Sequence, residues 1–306
     1  MTGTVTKSVG STYTVMDASL KIYECRIKGT FRLKGIESTN PIAVGDKVDF
    51  DFDEKAGIAI ITNIHERYNY IIRKSTNLSK QTQILAANID NSFLVVTPLY
   101  PKTSTGFIDR CIATAEAYHI NTILVFNKMD LFENDARRIV DEYLNIYQPL
   151  GYRCIEVSAL QNKNIDALKT LMKDKVNLFS GHSGVGKTAL INALQPLLTL
   201  RTGKISDAHD KGKHTTTFAE MFPLVFGGFI IDTPGIRELG TVDFVPQEIS
   251  HYFVEMLALI HDCKFNNCLH VNEKQCAVKA AVEAGKIHPS RYYNYLSILN
   301  NEDIYK

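Results

Sequence analysis

The sequence of 306 residues predicts an α/β protein in three parts: an OB-like β-barrel, a mainly parallel sheet covered by helices, and a helical region with a cysteine cluster. Three observations predict this fold. Residues 1–66 alternate apolar and polar side chains with a period of two, which is typical of strands. Residues 67–245 alternate apolar runs of strand length with segments of helical spacing. Residues 246–306 have helical spacing around the cysteines.

Composition excludes several classes of protein. A hydrophobic content of 45% is enough for a sizeable core and argues against disorder. The formal net charge is +1, so any contact with nucleic acid must come from local patches. The first residues lack the apolar core of a signal peptide, and no run approaches the roughly 18 apolar residues that span a bilayer. We therefore expect a cytoplasmic protein without a disulfide framework, in which the isolated Cys25, Cys111 and Cys154 are core residues.

The barrel is predicted from short strands joined by turns that contain glycine. Cys25 and Ile27 share one strand face, and Phe50 and Phe52 share another, with charged residues between them. The turn at residues 44–46 is one of those connections. Five-stranded OB-like barrels commonly bind nucleic acid, so we expect RNA binding here, although a barrel without that function fits the pattern equally well.

Residues 67–83 form a polar connector with basic side chains that include Arg67. It could contact RNA, but a solvated linker is the favoured interpretation. Two apolar runs of strand length follow at 93–96 and 123–126, separated by a segment of helical spacing. Residues 228–231 supply a later buried strand, so the middle part is predicted to be a parallel sheet with helices on both faces.

A phosphate-binding loop is predicted at residues 181–188, which read G-H-S-G-V-G-K-T and fit G-x-x-x-x-G-K-[ST]. Backbone N–H groups of such a loop close around phosphates, Lys187 would reach the β- and γ-phosphates, and Thr188 would bind Mg²⁺. The helix that follows points its positive end at the anion. The residues expected to bind nucleotide here are Gly181, His182, Ser183, Gly184, Val185, Gly186, Lys187, Thr188 and Ala189.

A guanine-binding motif is predicted at Asn127-Lys128-Met129-Asp130, directly after an apolar strand. The carboxylate of Asp130 can accept two hydrogen bonds from guanine, at N1–H and at the N2 amino group, which selects GTP over ATP. Asn127 and Lys128 would hold neighbouring loops. Ser158-Ala159 stands at another strand end, where a backbone N–H could meet guanine O6.

The two switch segments of a GTPase are also expected. Asp232 begins the sequence Asp-Thr-Pro-Gly after a buried strand and would hold Mg²⁺ through water, while the N–H of Gly235 would contact the γ-phosphate. Thr215 or Thr216 would complete the shell of the γ-phosphate and Mg²⁺, which makes residues 204–217 the first switch.

The residue that positions the attacking water is less clearly defined by the sequence. Ile236 stands where a water-orienting glutamine is common, and an aliphatic side chain cannot orient water. His214 in the first switch could align the water through its imidazole, and a surface histidine without that role is an equal alternative. We expect slow hydrolysis in the absence of a partner. The residues expected to act in hydrolysis are His214, Lys187, Thr215, Thr216 and Gly235.

The order of these motifs along the chain is unusual. The guanine motif comes first, Ser158-Ala159 second, and the phosphate loop only third. This order is typical of a circularly permuted GTPase, so the middle part is predicted to be a permuted P-loop domain that uses Mg²⁺ with GTP.

The cysteine cluster predicts a metal site in the last part of the chain. Three cysteines and one histidine within fourteen residues suit a closed tetrahedral Zn²⁺ site with a structural role. His261 or His251 could replace the histidine, and unligated buried cysteines are the less favoured alternative. The expected ligands are Cys263, Cys268, His270 and Cys276.

Barrel, permuted GTPase motifs and Cys₃His cluster together resemble the family of ribosome small-subunit-dependent GTPase A (RsgA), over essentially the whole chain. Two positions differ from the family pattern: Lys213 stands where arginine is usual, and Thr188 where serine is usual. Lysine lacks the planar fork of arginine, so a bidentate phosphate contact is not expected at position 213. The resemblance is carried by residues 41–46, 87–90, 183–187, 212–216, the cysteine cluster and Ala277-Val278.

The resemblance implies a GTP-hydrolysing late assembly factor of the small ribosomal subunit. It also implies stimulation by that subunit, contact with rRNA through the flanking domains, and a hydrolytic role for His214. We expect GTP and GDP as ligands, no membrane partner, and a monomer. Two alternatives stay open: a permuted GTPase of large-subunit assembly, and an RNA-binding module whose affinity is tuned by nucleotide.

Overall fold

A computed structural model describes residues 1–27, 41–53, 57–74, 82–132, 136–196, 219–232 and 244–302. The chain divides into two compact units, each built from separate stretches of sequence. The first unit comprises Met1–Ser92, Ala167–Phe179 and Gln195–Arg237. The second comprises Phe93–Asp166, Ser180–Leu194 and Glu238–Lys306. The division of the sequence into three domains stays a prediction.

The predicted five-stranded barrel is present in the first unit. Its strands pair in the order β1-β2-β3-β5-β4, and β4 also pairs with β1, which closes the barrel. All of these pairs are antiparallel except β3 with β5. The strands are β1 (Thr2–Val9), β2 (Thr12–Asp17), β3 (Ile22–Ile27), β4 (Lys47–Asp53) and β5 (Ile58–Ile64).

Alternate side chains fill the barrel. Cys25 and Phe50 are fully buried in a core with apolar residues from the other strands. Phe52 lies on the expected face but is 37% exposed, because the end of β4 extends beyond the part that pairs with β1. Its ring packs edge-on against Tyr23, with 5.4 Å between ring centroids.

The connector after the barrel differs from the expected solvated linker. Strand β6 (Tyr70–Lys74) pairs antiparallel with β7 (Thr82–Ala87) in a two-stranded sheet. The side chain of Arg67 is only 8% exposed, and its Nε and Nη2 each donate to a carboxylate oxygen of Asp46 at 2.6 Å. Nη2 also donates to the carbonyl of Pro41 at 2.8 Å. Arg67 therefore ties the connector to the barrel turn and is not available to RNA.

The first unit also contains strands of the GTPase part. Strand β11 (Val176–Ser180) runs parallel to β13 (Phe229–Asp232), and β12 (Glu220–Pro223) is antiparallel to both β13 and β1. The barrel strand β1 therefore belongs to the same hydrogen-bonded sheet as these strands, to which β12 connects it. Helix α3 (Ile165–Met172) precedes β11 in the chain.

The second unit contains the sheet order β10-β9-β8, in which β9 and β10 are parallel. The apolar runs that predicted β8 and β9 are buried, which confirms the strands expected there. Helix α1 begins after Ser104, whose side chain accepts a hydrogen bond from the N–H of Phe107. The elements are β8 (Asn91–Val96), α1 (Thr105–Ala117), β9 (Asn121–Phe126), α2 (Arg137–Tyr147), β10 (Arg153–Glu156) and α4 (Lys187–Leu194).

The C-terminal region of the second unit is helical, as predicted. It contains α5 (Val254–Leu257), α6 (Ala277–Glu283) and α7 (Pro289–Leu299), with 3₁₀ turns before and after α5. Its core includes Tyr295 and also Ala113 of α1. Among the described residues, no helix has the length and apolar character needed to cross a membrane.

Candidate functional site

Asn127 joins three of the predicted motifs through one buried amide. Its backbone N–H donates to the carbonyl of Val96 at 3.0 Å, which fixes it at the ends of β8 and β9. Its Nδ2 donates to the carbonyl of Val185 in the phosphate loop at 2.9 Å. Its Oδ1 accepts from the N–H of Ala159 at 3.3 Å. Segments that are far apart in the sequence therefore meet at the carboxyl ends of these strands.

Lys128 makes a second connection to the phosphate loop. Its backbone is left-handed, with φ of 63°, a conformation that few residues other than glycine adopt. Its ammonium donates to the carbonyls of Gly184 and Tyr100, each at 2.7 Å. Tyr100 has no place in any motif, so the sequence did not indicate that its carbonyl belongs to this site.

The side chain of Asp130 is held by Ser158 of the Ser158-Ala159 segment. The hydroxyl of Ser158 donates to Oδ1 of Asp130 at 2.5 Å and accepts from the N–H of Gln161 at 3.1 Å. Asp130 is partly exposed, and Ser158 is buried. A partly exposed carboxylate fixed in this way can accept hydrogen bonds from the Watson–Crick edge of guanine.

The phosphate loop needs glycine at two positions for steric reasons. Gly181 has φ of 137°, and a Cβ there would lie 2.3 Å from the carbonyl oxygen of Val95. Gly186 has φ of 90°, and a Cβ there would lie 2.5 Å from Nδ2 of Asn127. The backbone of the loop therefore packs closely against the strand end at Val95 and against Asn127.

Lys187 lies at the start of α4 and turns back over the loop. Its ammonium donates to the carbonyls of Gly181 and His182, each at 2.5 Å. Phosphate oxygens are stronger acceptors for a lysine than neutral carbonyls are. Thr188, in the first turn of α4, is partly exposed, and Ser183, Gly184 and Ala189 are exposed. The arrangement is therefore suited to an anion.

The ring of His182 stacks on Phe107 of α1. The ring centroids are 3.6 Å apart, and the planes are inclined by 29°. Phe107 is 1% exposed. No motif includes Phe107, and only its helical spacing could have placed it on a buried face.

Most of the predicted switch residues are not among the residues that the structure describes. His214, Thr215, Thr216 and Gly235 lie outside the described residues, as does the side chain of Asp232. The backbone of Asp232 ends β13, as expected from the apolar run before it. Roles for these five residues stay predictions.

The predicted metal ligands come together in the C-terminal region. The ligand atoms of the four residues all lie within 4.8 Å of one another. Nδ1 of His270 is 3.3 Å from Sγ of Cys276 and 3.7 Å from Sγ of Cys263, and the two sulfurs are 4.0 Å apart. These separations are close to the edges of a tetrahedron around Zn²⁺. The group includes His270 rather than His261 or His251.

Burial shifts the ionisation of the histidine and of two cysteines in the cluster. Burial lowers the pKa of His270, which favours the neutral imidazole that binds metals. Burial raises the pKa of the Cys268 thiol to about 12, and also raises the pKa of Cys276. Buried thiols of this kind lose their protons when a metal ion supplies positive charge beside them.

Hydrogen bonds around the cluster hold the ligand loop in place. The carboxylate of Glu273 accepts from the N–H groups of Leu269 and Val271, at 2.7 and 2.8 Å. Two tyrosines of α7, Tyr292 and Tyr295, each donate to a loop carbonyl at 2.6 Å. Both rings pack in the core of the C-terminal region, and their hydroxyl groups support the loop that carries the metal ligands.

Two protein families and several relatives match this chain over most of its length. The family described as RsgA GTPase matches residues 64–242, and the family described as RsgA N-terminal domain matches residues 2–61. The small ribosomal subunit biogenesis GTPase RsgA of Flavobacterium psychrophilum is 56% identical over 99% of this chain and 94% of the relative. The protein of the same name from Bacteroides fragilis is 51% identical over 99% of this chain and 97% of the relative.

Two crystal structures show the same architecture. YjeQ from Thermotoga maritima matches with a TM-score of 0.79 and 35% identity, over 98% of this chain and 97% of that one. YloQ, described as a circularly permuted GTPase, matches with a TM-score of 0.76 and 30% identity, over 98% and 94%. The predicted combination of barrel, permuted GTPase fold and C-terminal metal cluster is confirmed.

Proposed function

The chain belongs to the RsgA family of GTPases, and from this premise we propose that it is a GTP-hydrolysing biogenesis factor of the small ribosomal subunit. GTP hydrolysis itself follows from the family. The observation that carries the proposal is the buried amide of Asn127, which joins the guanine motif, the Ser158-Ala159 segment and the phosphate loop. The partners of the protein are then GTP or GDP and the small ribosomal subunit with its rRNA. The protein acts in the cytoplasm as a monomer.

The nucleotide is bound by side chains and N–H groups of these motifs. The carboxylate of Asp130 binds N1–H and the N2 amino group of guanine, and the N–H of Ala159 meets guanine O6. Lys187 and the N–H groups of the loop bind the β- and γ-phosphates. Thr188 and Asp232 would hold Mg²⁺, which would neutralise part of the phosphate charge.

Hydrolysis requires groups in the switch segments. Thr215 or Thr216 contacts the γ-phosphate and the magnesium shell, and the N–H of Gly235 contacts the γ-phosphate. The imidazole of His214 orients the attacking water, since Ile236 cannot. We expect His214→Ala to lower kcat by about 10²-fold with GTP affinity nearly unchanged, because a group that acts only on water contributes only in the transition state.

That prediction is checked by single-turnover phosphate release together with equilibrium binding of a fluorescent GTP analogue. His261→Ala is a suitable control, because this exposed histidine is outside the metal cluster. An unchanged rate in His214→Ala, or an equal loss in both variants, would remove the hydrolytic role of His214.

The four ligands of the C-terminal cluster hold one structural Zn²⁺. A set of three cysteines and one histidine suits a closed Zn²⁺ site without a water ligand, so the ion would be structural and would take no part in hydrolysis. Its role is to stabilise the loop and the helices around it.

Phosphate release tests the proposed function. The protein is supplied with GTP or ATP, alone and with isolated small or large ribosomal subunits. We expect hydrolysis of GTP but not ATP, an increase with small subunits only, and a loss of about 10²-fold or more in Lys187→Ala. Lys286→Ala changes an exposed lysine of the same unit and should keep the rate of the protein without subunits.

Two results would contradict the proposal. Equal stimulation by large subunits would assign the protein to large-subunit assembly. Subunit binding without any stimulated phosphate release would instead describe an RNA-binding module tuned by nucleotide.

A further inference from the structure

Helix α1 lies between the phosphate loop and the C-terminal region of the second unit. Phe107, in its first turns, stacks on His182 of the phosphate loop. Asp109 follows two positions later, so it projects about 200° around the helix axis from Phe107. Ala113, one turn after Asp109, packs in the core of the C-terminal region. One face of α1 therefore contacts the nucleotide loop, and the opposite face contacts the C-terminal region.

The contact on the second face is a buried ionic network. The carboxylate of Asp109 is fully buried and accepts from Nη1 of Arg291 at 2.7 Å. It also accepts from Nδ2 of Asn294 at 2.6 Å and from the hydroxyl of Tyr147 at 2.9 Å. Arg291 is 1% exposed, and its Nε and Nη2 donate to the carboxylate of Glu255 at 2.7 and 3.0 Å.

The guanidinium of Arg291 thus binds two carboxylates that lie on different helices. Asp109 belongs to α1, whereas Glu255 belongs to α5 of the C-terminal region itself. The planar fork of an arginine binds carboxylates in a fixed geometry, and the ring of Phe253 lies 4.5 Å from its Cζ. The position of α1 is therefore fixed relative to α5 and α7 in direction as well as in distance.

Stability alone gives a poor account of this network. Burial raises the pKa of Asp109, which opposes the charged form, and Arg291 offsets that effect. Apolar side chains of similar volume stabilise a core as well as a buried ion pair does, or better. What a hydrogen-bonded pair adds is a single arrangement of the elements that it joins.

We propose that Arg291 is a positioning residue for the phosphate loop. By holding Asp109, it fixes the rotation of α1 and so the ring of Phe107 against which His182 stacks. Nucleotide affinity then depends on the C-terminal region, and bound nucleotide must stabilise that region to the same extent. The proposal rests on the nucleotide site described above.

A pair of matched substitutions tests the proposal in the full chain. Asp109→Asn and Glu255→Gln each replace a carboxylate on the same guanidinium by an amide, but only the first lies on α1. We expect the dissociation constant for fluorescent GDP to rise roughly tenfold in Asp109→Asn and to stay within about twofold in Glu255→Gln. KM for GTP should rise in parallel, with a smaller change in kcat.

A double-variant cycle separates positioning from a general loss of structure. Phe107→Leu removes the stacked ring and keeps an apolar side chain. If Asp109 acts through Phe107, adding Asp109→Asn to Phe107→Leu should weaken GDP binding by much less than it does in the unchanged protein. Equal affinities in Asp109→Asn and Glu255→Gln, or fully additive effects in the cycle, would overturn the proposal.

The reciprocal effect can be measured without any substitution, which covers the case in which Asp109→Asn does not fold. Saturating GDP should slow amide hydrogen exchange in α7, where Arg291 lies. The expected factor is roughly tenfold, equal to the loss of GDP affinity expected for Asp109→Asn, because coupling is reciprocal. Protection of the phosphate loop with no change in α7 would overturn the positioning role. Absence of GDP binding to the unchanged protein would instead contradict the proposed function.

Discussion

At the scale of single residues, the chemistry of each side chain at the nucleotide site is set by what it must join. Asn127 has to donate to one carbonyl and accept from one N–H at the same time. An amide does both, a carboxylate could only accept, and an apolar side chain could do neither. Leaving the buried carbonyl of Val185 without its hydrogen bond costs about 1–3 kcal/mol, so the residue type at this position follows from its contacts.

Base selectivity can be tested at Asp130. Guanine presents two donors to the carboxylate, whereas the amide of Asp130→Asn offers one acceptor and one donor. We expect this variant to bind GTP at least about tenfold more weakly and to favour xanthosine triphosphate, whose O2 accepts the new donor. The measurement is competition by both nucleotides against a fluorescent GDP.

Asp141→Asn provides the control for that variant. Asp141 pairs with Arg137 on the surface of α2, so its loss should leave both affinities unchanged. An unaltered preference for GTP in Asp130→Asn would show that Asp130 does not contact the base.

The motifs predicted which side chains meet the nucleotide but not what supports them. Residues 127–130 and 181–188 have spacings that a single type of ligand imposes, and such spacings can be read from one sequence. Phe107 and Arg291 act through contacts with residues far away in the chain, at 182 and 109. Pairings of that kind depend on tertiary packing, for which a single sequence contains no spacing.

At the scale of elements, the strands were predicted better than the connector. Alternation and apolar runs report burial directly, so a barrel was expected in residues 1–66 and strands at 93–96 and 123–126, which lie within β8 and β9. Residues 67–83 contain many polar side chains, and the sequence does not reveal that Arg67 finds a buried partner in Asp46. The ion pair with Asp46 buries Arg67, although a basic side chain in a polar segment would by itself favour solvent.

The structural role of Arg67 can be distinguished from an RNA contact by its effect on stability. We expect Arg67→Ala to lower the free energy of unfolding by about 3–5 kcal/mol, because Asp46 is left buried and unpaired. Urea denaturation measures the change. Lys7→Ala, which breaks the exposed pair of Lys7 with Glu220, should cost less than about 1 kcal/mol. Weaker rRNA binding by Arg67→Ala with unchanged stability would contradict the structural role.

At the scale of the whole molecule, the second compact unit contains both the nucleotide loop and the metal cluster. Its stretches 93–166, 180–194 and 238–306 are separated in sequence, yet each contributes to one of the two sites. The motif order predicted the permutation, because the chemistry of the site requires the motifs to meet whatever their order. The contact of α1 with the C-terminal region was not predictable, since neither segment has a recognisable partner pattern.

Removal of the metal should act on the C-terminal region through its core. Cys263 and Cys276 pack in the same cluster as Val278 of α6 and Tyr295 of α7, so the ligands and the helices are ordered together. Without the cation, the binding free energy of about 10–16 kcal/mol that a structural zinc supplies to small zinc domains is lost.

We therefore expect purified protein to contain about one zinc per chain, and chelation to expose three thiols and lower the helix signal. Elemental mass spectrometry, thiol titration and circular dichroism measure these changes. Cys276→Ser should lose zinc, whereas Cys154→Ser, which changes a cysteine outside the cluster, should keep it. Full zinc content in Cys276→Ser, or unchanged thiol reactivity after chelation, would show that these four side chains do not hold the ion. Such a result would leave α6 and α7 to be stabilised by apolar packing and by the hydrogen bonds of Arg291 and Asn294 to Asp109, without a contribution from the metal.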